Sequence, residues 1–101
     1  MFQKTTLTCI IGFLFINFIY SQNKDTNTLL NKGLRYRYTQ PKLSIRNFNE
    51  CYQIAIYQKD TLMAVESLIN LANIYSHNVD YNKAYDHFWK ALLLAEKQKN
   101  K

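Results

Sequence analysis

The side chains that could do chemistry in this chain are few: two cysteines, two histidines and seven acidic residues among 101. His77 and His87 stand ten apart, without the His-x3-His or Cys-x2-Cys spacing that gathers metal ligands on one short element. Asp86 and His87 are neighbours in sequence, so on a helix they point to different sides and form no dyad. Cys51 falls on what reads as an apolar helical face, where a thiol behaves as a small hydrophobe. Cys9 sits near the start of an apolar N-terminal run with no small residue before it, which does not suit lipidation. No Gly-rich phosphate loop, nucleophile elbow or pair of carboxylates at working spacing occurs. The pattern implies a protein that is not an enzyme, with no cofactor and no metal.

The elements that would carry these residues are helices. From Leu68 to Ala91, apolar and small residues recur at Leu68, Leu71, Ala72 and Tyr75, then at Ala84, Phe88 and Ala91. Steps of three and four place each set on one helix face. Between them Ser76-His77-Asn78-Val79-Asp80 is a stretch where a helix would rather stop. The reading is two antiparallel helices joined by a tight turn, with alanines where the backbones approach. Two glycines and one proline are too few turn formers for a many-hairpin β fold. The expected fold class is all-α.

The spacing of these seven residues resembles a tetratricopeptide repeat, a helix–turn–helix unit of about 34 residues. Ala72 stands where glycine is commoner, Leu68 where tryptophan is, and Glu96 where a final proline is frequent. Small stays small and apolar stays apolar, so the packing logic survives. An earlier copy begins at Leu29, Gly33 and Tyr36 and continues at Ser44 or Ile45, Phe48 and Cys51. Lys32 occupies a place that should be apolar, as in the degenerate terminal units of such arrays. Seventeen residues separate Cys51 from Leu68, about six more than the strict repeat allows, which points to a long-repeat type of about 40 residues.

Helices are predicted near 27–38, 41–58, 61–77 and 81–98, with Pro41 in a first turn and Asp60 as an N-cap. The expected division is 1–21 as signal peptide or anchor and 22–28 as linker. A degenerate repeat follows over 29–60, a fuller repeat over 61–98, and 99–101 as the start of a missing next repeat. Tyr75 and Tyr85 read as core by their helical step, and one of the adjacent Phe88 and Trp89 should face inward.

At the N-terminus, Lys4 is the lone charge before an uncharged run from Leu7 to Tyr20. That run is short for a membrane span, which needs about 20 residues, and suits a signal h-region. Tyr20-Ser21-Gln22 resembles signal cleavage sites in bacteria of the Bacteroidetes type. Export to the periplasm or medium is expected; the alternative is a chain anchored by this uncleaved segment. Net charge is +6, and Arg35, Arg37, Lys42 and Arg46 surround the first turn. Such a cluster suits an acidic partner, lipid headgroups or simply a wet surface.

By resemblance, the family binds protein or peptide in a groove lined by one face of each first helix. The matching residues are Glu66, Ile69, Asn73, Ser76 and His77, with Asn73 foremost because its amide can bond an extended main chain. The same positions also read as a solvated polar face. Two functions stay open: an exported interaction module, or the sensory front of a larger membrane signalling protein carrying a histidine kinase or DNA-binding region. No nucleic-acid partner is expected. Self-association through uncapped repeat ends is a further expectation, because about three repeats are needed for a stable array and two are counted here.

Overall fold

A computed structural model describes residues 25–99. The signal or anchor segment expected over 1–21, residues 22–24 of the expected linker and the last two residues lie outside the described residues; the rest of that 22–28 linker is not linker, because Asp25 caps a helix that already starts at Thr26. Within them four helices follow one another: α1 (Thr26–Tyr36), α2 (Pro41–Tyr57), α3 (Thr61–His77) and α4 (Tyr81–Lys99), with no strand among the described residues. Consecutive helices pack side by side, and α1 also meets α3 along a short edge. The arrangement is an all-α stack of helical hairpins, about two repeats long.

Each helix begins where the local chemistry supplies an acceptor or a fixed φ. Asp25 caps α1 by accepting from the Asn27 N–H at 3.2 Å, and Asp60 caps α3 by accepting from the Met63 N–H at 3.2 Å. Asp80 does the same for α4, accepting from the Lys83 N–H at 3.4 Å. Pro41 opens α2, where its missing N–H leaves nothing unpaired.

Both α2 and α3 end in one geometry. The Asp60 N–H reaches the Ala55 carbonyl and the Lys59 N–H reaches Ile56; twenty residues on, Asp80 reaches Tyr75 and Val79 reaches Ser76. This crossed pair is the Schellman arrangement, and it forces the penultimate residue into left-handed backbone. Here that residue is Lys59 (φ 59°) or Val79 (φ 66°) rather than glycine. Equivalent buried positions also recur at twenty residues: Ser44 and Ala64, Asn47 and Ser67, Phe48 and Leu68, Cys51 and Leu71. Each of these two helices lies between two neighbours, which is why their buried faces match.

The core centres on Leu29, Leu30, Phe48, Cys51, Leu71 and Ile74, with Leu34, Ile45, Ile54, Met63 and Tyr75 packed against it. Phe48 fills the gap left by Gly33: a Cβ there would stand 2.5 Å from the ring. Ser44 donates its hydroxyl to the Gly33 carbonyl, fastening α2 to α1 at the same point. The Cys51 thiol donates to the Thr26 carbonyl at 3.4 Å. Small residues thus mark the closest approaches of the helix axes.

Of the residues expected to pack the second hairpin, Leu68, Leu71, Ala72, Ala84 and Ala91 are buried and Tyr75 is half-buried. Phe88 is not; 42% of it remains exposed. Tyr85, expected in the core, is exposed as well, and both Phe88 and Trp89 stay open. The cause is positional. Among the described residues α4 has only α3 beside it, so one narrow face, Ala84 and Ala91, is covered and the other apolar residues are not.

Candidate cleft at the ends of the first and third helices

The loop after α1 carries Arg37 and Tyr38, and the short α1–α3 edge brings that loop against the last turns of α3. The Tyr38 and His77 rings meet edge to face with centroids 5.2 Å apart, and the Arg37 guanidinium lies 4.8 Å above the Tyr38 ring. Cation over ring and ring against ring are both favoured by the aromatic quadrupole. The stack walls one side of a cleft of about 340 Å³, whose lining also includes Asn70, Asn73, Ser76 and the edge of Ile74.

Three of the five groove residues expected from the sequence, Asn73, Ser76 and His77, line this cleft; Glu66 and Ile69 do not. Glu66 lies at least a turn further toward the start of α3, where its carbonyl accepts from the Asn70 side chain at 2.9 Å. Ile69 is part-exposed on that same helix. Arg37 and Tyr38 were not expected as lining residues. A loop has no periodicity to read, and the available signal was only that Arg37 belonged to a basic cluster. That cluster divides: Arg37 turns to the cleft, whereas Lys42 and Arg46 border a separate hollow at the start of α2 with Gln40, Pro41 and Leu43.

The cleft presents a permanent cation, two side-chain amides, a hydroxyl and an imidazole. Asn70 spends one N–H on Glu66, while Asn73 projects from an exposed position. Such a set can hydrogen-bond an extended main chain and pair with a carboxylate.

The remaining reactive types are tied elsewhere. His87, half-buried on α4, stacks on Tyr75 with centroids 5.1 Å apart, and its Nδ1 lies 2.7 Å from the Lys83 carbonyl. A carbonyl only accepts, so that bond requires the proton on Nδ1. Burial pushes the Cys51 thiol above its ordinary range, and nearby carboxylates add to the effect. A thiol held protonated is a poor nucleophile. Among the described residues no three His, Cys, Asp or Glu side chains gather as a metal site, and no helix is long and apolar enough to cross a membrane.

A larger hollow of about 610 Å³ lies between α2 and α4, lined by Tyr52, Lys90, Leu93, Leu94, Glu96 and Lys97. It is wide and mostly apolar, and offers less directional recognition than the smaller cleft. No family model, curated protein or solved structure matches this chain.

Proposed function

We propose that this chain is an exported tetratricopeptide-type module that holds a protein or peptide segment and catalyses nothing. The bound segment lies in the cleft between the α1–α2 loop and the end of α3. One observation carries the reading: Arg37, Tyr38, Asn73 and His77 converge on a single concavity although they come from two separate hairpins. Amide and guanidinium donors there suit an extended backbone with an acidic group, recognised without reading most of its side chains. The repeat resemblance and the stack of hairpins support the same class of work.

The test is binding, not turnover. Immobilised chain is offered a library of fluorescent peptides with and without acidic residues, and retained peptides are titrated by anisotropy. Arg37→Ala and Asn73→Ala should each weaken the retained peptides about tenfold, the scale of one charge-assisted or buried hydrogen bond. Retention unchanged by both substitutions, or no retention of any peptide, would remove the proposal.

A further inference from the structure

The hollow between α2 and α4 repeats the cleft one helix further along. On α3 the cleft is lined by Asn70, Asn73, Ile74, Ser76 and His77. On α4 the hollow is lined by Lys90, Leu93, Leu94, Glu96 and Lys97, the same five positions shifted by twenty residues. The stack itself is the cause. α1 and α3 flank α2 and meet only along a short edge, while α2 and α4 flank α3 and do not pack on each other. Each flanking pair leaves a gap, so one register opens two concavities. Their chemistry differs. Amides, a hydroxyl and an imidazole in the first give way to two leucines, two lysines and a glutamate in the second, with Tyr52 as the opposite wall.

We infer that the hollow binds a free long-chain carboxylate, with its tail along Leu93, Leu94 and the Tyr52 ring and its head at Lys90. Steps of three, one and three put Lys90, Leu93, Leu94 and Lys97 on a single face of α4. The volume of about 610 Å³ lies within the range of small-molecule pockets, about 300–1,000 Å³. A peptide is a poorer occupant, because its main chain brings N–H and C=O groups that leucines cannot satisfy, whereas an alkyl chain brings none. The lysines set the sign of the head. Near the start of α4, Lys83 pairs with Asp80 at 3.9 Å, and neither Lys90 nor Lys97 joins an ion pair among the described residues. Their carbon stems extend the apolar wall while the ammonium groups stay at the rim. Lys97 stands beside Glu96 and in the last turn of α4, where the helix dipole is negative, so an anion is disfavoured there. Lys90 lies in mid-helix, and Asp86, one turn before it, is not paired with it. The inference stands on the hollow's own residues and does not need the peptide reading of the cleft.

The full chain is titrated with cis-parinarate, a fluorescent long-chain carboxylate, below its micelle-forming concentration. Bound probe is then displaced by palmitate, hexadecanol or butyrate. The expected result is saturation at one probe per chain, displacement by palmitate, displacement about tenfold weaker by hexadecanol, and none by butyrate. Lys90→Ala should weaken palmitate about tenfold, the scale of one charge-assisted bond, and leave hexadecanol unchanged. Leu93→Asp, at a position 49% exposed, should abolish binding while far-UV circular dichroism shows the helix content kept. Lys32→Ala removes an equal charge from an exposed position on α1 and should change nothing. Absence of saturable binding overturns the inference, as does binding that survives Leu93→Asp or a palmitate affinity indifferent to Lys90→Ala. Capture of the chain by phosphatidylglycerol vesicles without binding of free palmitate would make the surface a membrane contact and overturn it too.

Discussion

Replacing Gly33 by alanine should destabilise the fold, against the usual direction for that change. In a helix interior, Gly→Ala ordinarily stabilises by about 0.5–1 kcal/mol, because alanine loses less backbone freedom. Here the added methyl would stand 2.5 Å from Phe48 Cε1 and 2.7 Å from both Cδ1 and Cζ. Phe48 is wholly buried and cannot swing into solvent, so α1 and α2 must part. Overpacking of this kind costs about 1–3 kcal/mol. Parting the helices also stretches the Ser44 hydroxyl bond to the Gly33 carbonyl, which is worth about 1 kcal/mol. After the propensity gain is subtracted, the net loss is about 2 kcal/mol, or a midpoint lower by about 10 °C for a domain of this size. The measurement is thermal and urea unfolding followed at 222 nm. Phe48→Leu in the Gly33→Ala background should recover part of the loss, giving a coupling between the two sites. A Gly33→Ala chain as stable as the parent, or more stable, would refute the close packing of the ring on Gly33.

Two further outcomes follow from the backbone and from burial. Val79→Gly should raise stability by about 0.5–1 kcal/mol, since a β-branched residue in left-handed backbone carries about 1–2 kcal/mol of strain, part of which glycine's unfolded-state freedom offsets; urea midpoints of parent and variant decide it, and no rise would count against the left-handed Val79. For Cys51, burial raises the folded-state thiol above 9.0, so the stability it contributes is complete below the unfolded value and is lost as pH climbs through the folded one. The stability difference between parent and Cys51→Ala should therefore narrow as pH rises from the ordinary thiol range into more alkaline solution, at no more than about 1.4 kcal/mol per pH unit; a difference that stays constant would contradict the burial.

The helices were legible because their ends and faces are marked by residue type. Pro41 and Asp60 announce starts, and Leu68, Leu71, Ala72, Ala84 and Ala91 keep helical steps that the structure places at inter-helix contacts. Tyr85 and Phe88 keep the same steps and are exposed, because periodicity says which residues share a face and not whether a neighbour arrives to cover it. The stop at Ser76–Asp80 was readable, but the left-handed backbone in the turns after α2 and α3 was not. Their left-handed residues are lysine and valine instead of glycine, and the only trace in sequence is the recurrence of Asp60 and Asp80 one residue later. In the cleft, Asn73, Ser76 and His77 could be placed from the face of one helix. Arg37 and Tyr38 come from a loop, so only the tertiary fold brings them to the same side.

The matching turns at Lys59 and Val79 carry a consequence for how such a chain can grow. Pro41, Thr61 and Tyr81 open their helices at even intervals of twenty residues, so one traverse out and one back consume forty. Copying residues 41–80 in tandem would return the chain to the same heading with the same joint at each bend. Each inserted helix would meet the flanking surfaces its template already met. Length could then change by whole round trips without a new fold having to be invented, whereas adding half a trip would reverse the direction of everything downstream.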